Sequence, residues 1–178
     1  MLLTPSQLQA RAMAVKMLLL DVDGVLTDGS IIYTGQGEEI KRFDIKDGFG
    51  LRLAKRAGLK TAIITARHSK VVLLRAQELE FDDVYQNATV KLEALNQLLT
   101  RHNLEPQQLA YVGDDLIDLP ILRRVGLAVA VPEAPDEVKA EVGYICRKPG
   151  GMGAVREVVE LILKAQGTWE QTTARYFE

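Results

Sequence analysis

Six short, almost purely apolar runs, separated by stretches of helical period, set the tightest limit on how this chain folds. They cover residues 17–20, 61–65, 84–85, 109–112, 127–131 and 144–146. Their apolar character is continuous rather than alternating, as in parallel strands buried on both faces. The stretches between them predict helices. One spans 49–57, with Gly58 placed to end it, and one spans 70–79, with Ser69 as its N-cap. A third spans 90–102 with Leu92, Leu95, Leu98 and Leu99 on one stripe, and a fourth spans 117–125 with Pro120 in its first turn. The last spans 152–166 with Val155, Val158, Val159, Ile162 and Leu163 at helical spacing, and a polar helix from about Pro5 to Ala12 precedes the first run. Strand–helix alternation of this kind predicts an α/β, doubly wound, mostly parallel sheet.

One segment interrupts the alternation. Residues 30–34 and 38–43 flank Gly35-Gln36-Gly37, which predicts a β-hairpin with a three-residue turn. The insertion covers residues 29–44 and follows the first strand, so it stands above the carboxyl ends of the sheet, where open α/β folds bind ligands. A hairpin is marginal alone and needs something to pack on, such as another subunit.

Length fits a single domain over residues 1–178 with no room for a second large one. A net charge of -2 and no basic stripe argue against a nucleic-acid partner. The apolar stretch at 13–20 is broken by Lys16 and ended by Asp21, too short for a membrane span and unlike a leader. The lone Cys146 allows no internal disulfide and predicts a buried, inert thiol and a cytoplasmic setting. The tail, residues 168–178, lacks a period. Its Trp169, Tyr176 and Phe177 predict docking onto a surface or a neighbouring subunit.

The chemistry lies in the acids. Asp21 and Asp23 follow the first run, and residues two apart on a strand point the same way. Gly24 lets the chain turn sharply. Gly113-Asp114-Asp115-Leu116-Ile117-Asp118 repeats the pattern after the run at 109–112. Parallel strands end on one edge, so Asp21, Asp23, Asp114, Asp115 and Asp118 converge. Such a cluster repels itself without a cation, and hard oxygen donors without His or Cys suit Mg²⁺. Thr65 brings a hydroxyl to the same edge, and Lys91 brings a cation at the start of a helix.

These residues resemble the haloacid dehalogenase superfamily of phosphotransferases. Its signatures appear in order as Asp21-x-Asp23-Gly24-x-x-Thr27, Thr65, Lys91 and Gly113-Asp114-Asp115-x-x-Asp118. The resemblance implies a Rossmann-like fold with a minimal cap. It makes Asp21 the nucleophile, forming an aspartyl-phosphate, and Asp23 the acid–base group. It gives Mg²⁺ to Asp21, Asp114 and the backbone carbonyl of Asp23, phosphate to Thr65 and Lys91, and supporting roles to Asp115 and Asp118.

Phe43-Asp44-Ile45-Lys46-Asp47-Gly48-Phe49-Gly50, Ile64-Thr65-Ala66-Arg67 and Pro149-Gly150-Gly151-x-Gly153-Ala154-x-Arg156-Glu157 narrow the likeness. They look like the 3-deoxy-D-manno-octulosonate 8-phosphate phosphatases of lipopolysaccharide synthesis. Those are tetramers with central hairpins and sites closed by neighbouring subunits. The implied substrate is an acidic sugar phosphate. Residues Asp44, Ile45, Lys46, Asp47 and Gly48 would form a loop near its hydroxyls, and Arg52, Arg67 and Arg75 would read its anionic groups. Gly150, Gly151 and Gly153 would give the last helix a flexible entry. Alternatives are another acidic sugar phosphate, such as a sialic acid 9-phosphate, and a non-catalytic binding module. A phosphomutase would need a larger cap to exclude water.

Overall fold

In the computed structural model, which describes residues 2–178, the apolar runs form one parallel sheet. Its strands are β1 (Met17–Leu20), β4 (Lys60–Ile64), β5 (Asp83–Tyr85), β6 (Leu109–Gly113), β7 (Leu127–Ala130) and β8 (Tyr144–Ile145). The spatial order is β5-β4-β1-β6-β7-β8, with β1 between β4 and β6. Leu20 pairs with both Ile63 and Val112, so the three central strands end level. Every residue of β1, β6 and β7 is buried, as both faces are covered by helices.

The helices are α1 (Pro5–Met13), α2 (Ile45–Arg56), α3 (Lys70–Glu78), α4 (Lys91–His102), α5 (Leu119–Leu122), α6 (Asp136–Lys139), α7 (Ala154–Ala165) and α8 (Trp169–Thr173). Local signals explain the ends. Thr4 and Gln7 form a capping box on α1, Ser69 caps α3 through the Val72 N–H, and Asn103 closes α4 in a left-handed conformation. The stripe of α7 is wholly buried, against α1 and α2.

Three expectations change. The segment from Asp44 to Gly48 is not a loop: Asp44 accepts the Lys46 and Asp47 N–H groups and starts α2 four residues early. The expected helix at 117–125 splits into a 3-10 turn, Leu116–Asp118, and the short α5, because Asp115 caps the turn and Pro120 restarts the helix. The hairpin is present but short. Strands β2 (Ile32–Tyr33) and β3 (Glu39–Ile40) pair antiparallel, and Thr34 Oγ1 accepts the Gln36 and Glu38 N–H groups in the turn.

The tail docks on its own chain. After α8 a 3-10 turn, Ala174–Tyr176, brings Tyr176 edge-on to Phe49 at 5.4 Å, and the Arg56 guanidinium donates to its hydroxyl. Trp169 stacks under Arg156 and Lys164. Among the described residues, no helix is long and apolar enough to cross a membrane.

Candidate active site

Because β1, β4 and β6 end level, the residues just beyond them share one edge of the sheet. Asp21 follows β1, Thr65 follows β4 and Asp114 follows β6. Lys91 opens α4 and is 2% exposed, with its ammonium 2.9 Å from Asp21 Oδ2 and 2.6 Å from Asp118 Oδ1. Asp118 is fully buried, and its other oxygen accepts the N–H groups of Asp114 at 2.9 Å and Asp115 at 3.2 Å. Carboxylate oxygens of Asp21, Asp114 and Asp118 lie within 4.8 Å of one another.

Glycines make the approach possible. Gly24 has φ +89°, and a Cβ there would stand 2.1 Å from Asp114 Oδ2. A Cβ on Gly150 would stand 1.7 Å from the Gly24 carbonyl oxygen, and the Gly151 N–H donates to Val25 at 2.9 Å. Gly150 and Gly151 therefore serve close packing against the Asp21–Thr27 turn rather than a flexible entry, whereas Gly153 meets only the Lys148 side chain and holds a positive φ of +109° at the start of α7.

The charges are unbalanced. Burial, with Asp118 adding to it against the pull of Lys91, raises Asp21 to about 6. Burial, Asp21 and Asp118 raise Asp114 to about 8. Burial disfavours the charged Lys91, but Asp21 and Asp118 outweigh it and hold the ammonium protonated. One buried cation among three carboxylates leaves excess negative charge in an all-oxygen donor set. That fits Mg²⁺, which takes a few carboxylates and keeps water or phosphate in its shell. Asp21 and Asp114 are the side chains free to hold it, since Asp118 is already committed to Lys91 and two backbone N–H groups.

The hairpin closes on the same spot. Lys41, its side chain 1% exposed, donates to Asp23 and lies 3.3 Å from Glu39. Arg67 stands 3.6 Å from Asp23 and donates to Glu39 at 3.1 Å and to the Tyr33 hydroxyl at 3.4 Å. The Ser69 hydroxyl also donates to Glu39. Tyr33, Glu39 and Lys41 were not singled out in the sequence. Glu39 and Lys41 do sit two apart in the segment expected as a strand, where alternate residues share a face, a signal that could have found them, although β3 itself ends at Ile40. Tyr111 was missed for a different reason: it lies inside a continuous apolar run, and only the structure shows its hydroxyl 2.5 Å from Asp118 and 3.1 Å from Lys91.

The other expected residues fall elsewhere. Asp115 is exposed and caps the Leu116 N–H. Asp44 caps α2, and Ile45 and Lys46 are exposed on its first turn. Asp47 is 1% exposed, and its two oxygens accept the Gly153 and Arg156 N–H groups, so it ties α2 to the entry of α7 instead of facing a sugar. A Cβ on Gly48 would stand 2.3 Å from the Arg75 guanidinium, so its role is to make room for that side chain. Arg75 pairs with Glu78 at 3.0 Å and lies over Phe43. Arg52 and Arg75 line a groove with Ile45, Phe49 and Leu79, and neither bonds to the carboxylate cluster. Cys146 is buried beside the Ala154 carbonyl, and burial pushes its thiol well up, which keeps it inert.

Comparison with known proteins agrees with this geometry. Residues 63–158 match the haloacid dehalogenase-like hydrolase family. A 3-deoxy-D-manno-octulosonate 8-phosphate phosphatase of Escherichia coli (strain B / BL21-DE3) is 43% identical over 166 residues, 93% of this chain and 88% of the relative. The crystal structure of such a phosphatase from Moraxella catarrhalis, in complex with magnesium, phosphate and a KDO molecule, superposes with TM-score 0.95 at 42% identity. It is matched over 97% of this chain and 99% of that one. The cobalt-bound enzyme of Haemophilus influenzae, 35% identical, gives 0.88 over 94% and 98% of the two chains. With a buried Asp–Lys–Asp centre at the sheet edge and likeness along nearly its whole length, this chain belongs to the haloacid dehalogenase-like hydrolases, among the 3-deoxy-D-manno-octulosonate 8-phosphate phosphatases.

Proposed function

We propose that the chain hydrolyses 3-deoxy-D-manno-octulosonate 8-phosphate to the free sugar acid and inorganic phosphate, with Mg²⁺, in lipopolysaccharide synthesis. The observation that carries this is the buried Lys91 ammonium, bonded at once to Asp21 and Asp118 beside Asp114. The site holds a nucleophilic carboxylate, a cation for phosphoryl oxygens and a place for a divalent ion.

The Asp21 carboxylate attacks phosphorus, and the bond from phosphorus to the sugar's C8 oxygen breaks. Asp23 gives that oxygen its proton, then takes one from the water that frees phosphate from Asp21. Lys91 and the Thr65 hydroxyl hold the phosphoryl oxygens. Asp21, Asp114 and the Asp23 carbonyl hold Mg²⁺, which offsets the negative charge of the transferring group. Asp118 positions both Lys91 and the Asp114 backbone. Asp23 sits where the hairpin meets the sheet, reached by Lys41 and Arg67, so the leaving group is met at the closed edge.

The sugar acid's carboxylate calls for guanidinium groups. Arg67 is at the site, whereas Arg52 and Arg75, with Asp44, Ile45 and Lys46, serve a neighbouring copy's site in a homotetramer. Ile31, Ile32, Tyr33 and Ile40 leave an apolar hairpin face exposed, which supports that assembly.

Phosphate release from this sugar phosphate, with a sialic acid 9-phosphate run beside it, tests the reading. Asp21→Asn is expected to abolish release while folding normally, and chelation is expected to stop the native enzyme until Mg²⁺ is restored. Turnover by the Asn variant, or full activity in chelator, would overturn it.

A further inference from the structure

We propose that Tyr111 is a positioning residue for this reaction, its hydroxyl aiming the Lys91 ammonium at the phosphoryl group. The proposal rests on Lys91 as the phosphoryl-holding cation. Tyr111 lies in the middle of β6 with no exposed surface, and Lys91 sits over its ring at 5.9 Å from the centroid. A buried phenol must find partners for its hydroxyl, and a phenylalanine would fill the same space with none to find. Here the hydroxyl is committed to functional groups on both sides. It donates to Asp118 Oδ1 at 2.5 Å and accepts from Lys91 at 3.1 Å.

An ammonium has three protons. Those of Lys91 go to Asp21 Oδ2 at 2.9 Å, Asp118 Oδ1 at 2.6 Å and the Tyr111 hydroxyl at 3.1 Å. Two acceptors are carboxylates. Asp21 is the group that attacks phosphorus, so the N–H on Asp21 is the one that faces the phosphoryl oxygens, and the neutral, most distant acceptor, Tyr111, holds the ammonium in that direction without drawing off its charge. By donating to Asp118 Oδ1, the oxygen that also accepts from Lys91, the same hydroxyl closes a three-membered network that fixes where the ammonium sits relative to Asp21. Tyr111 thus sets the direction of the cation and leaves its charge alone.

Charge governs ground-state attraction for a phosphate dianion, and direction governs contacts completed in the transition state. Tyr111→Phe is therefore expected to lower kcat about tenfold or more while KM stays within about threefold. Its unfolding midpoint is expected to move by only a few degrees. Lys91→Ala, which removes the charge itself, is expected to raise KM as well as lower kcat. Unchanged kcat in Tyr111→Phe overturns the proposal, and so does a rise in KM alone. A midpoint lowered by more than about ten degrees assigns the hydroxyl to stability and overturns it too. If Asp21→Asn is inactive while Tyr111→Phe is not impaired, the function stands and only the role of Tyr111 falls.

Discussion

Asp114 carries the clearest pH signature in the molecule. Without metal its carboxyl is raised to about 8 by burial, Asp21 and Asp118, and burial chiefly raises Asp21 and Asp47 to about 6. The unfolded chain has lost these protons by pH 6, because its ordinary value is 3.8. Between about pH 6 and 8 the folded state holds more protons than the unfolded one, so stability falls as pH rises. Asp28, Glu39, Glu141 and Glu160 are lowered and finish titrating below that window. In chelator the unfolding midpoint is expected to be lower at about pH 8 than at about pH 6, and saturating Mg²⁺ is expected to close the gap. Mg²⁺ binding near neutral pH should release protons, measurable by calorimetry in buffers of different ionisation enthalpy. A flat midpoint with no proton release would remove Asp114 as the titrating ligand. The positions of Asp21, Thr65, Lys91 and Asp114 were legible in the sequence, because each follows a recognisable strand or opens a helix, whereas those of Tyr33, Glu39, Lys41 and Tyr111 were not. The direction of each shift was not, since it depends on burial and on groups distant in sequence.

At the scale of elements, the first turn of α2 departs most from its expected form. Read as a ligand-facing loop, it is a helix start whose Asp47 accepts two backbone N–H groups at the entry of α7. Asp47→Ala would leave the buried Gly153 N–H and the part-buried Arg156 N–H without this partner and is expected to cost about 2–3 kcal/mol in denaturant unfolding, against about 1 kcal/mol for the Asp44→Ala cap variant. Equal costs would argue against the tie. The hairpin was legible from its glycine turn, but its grip on Asp23 was not. Lys41→Met leaves Asp23 and Glu39 close together with no lysine between them. Faster amide exchange over residues 32–41 and lower kcat/KM are expected, read by mass spectrometry and steady-state kinetics. Unchanged exchange would show that the hairpin closes without this lysine.

For the whole molecule, the decisive arrangement is β1 between β4 and β6, where the strand order turns and a crevice opens. Above it the hairpin exposes Ile31, Ile32, Tyr33 and Ile40, a face suited to its counterparts in other copies. If this face builds the proposed homotetramer, Ile32→Lys is expected to shift sedimentation toward smaller species than the native chain forms and to weaken substrate binding. A monomeric native chain with full activity would refute the shared site. The tail was expected on some surface, and it settles on α2 and α7 of its own chain through Trp169 and Tyr176. The sequence by itself determined the parallel sheet, the longer helices α1, α3, α4 and α7 and the order of Asp21, Thr65, Lys91 and Asp114, because strand burial and helical period are local patterns. Only the tertiary structure decided that Tyr111 meets Lys91, that Lys41 meets Asp23, and that Gly150 must have no side chain. Those depend on which distant segments the packed sheet brings within bonding distance, and no local period encodes that.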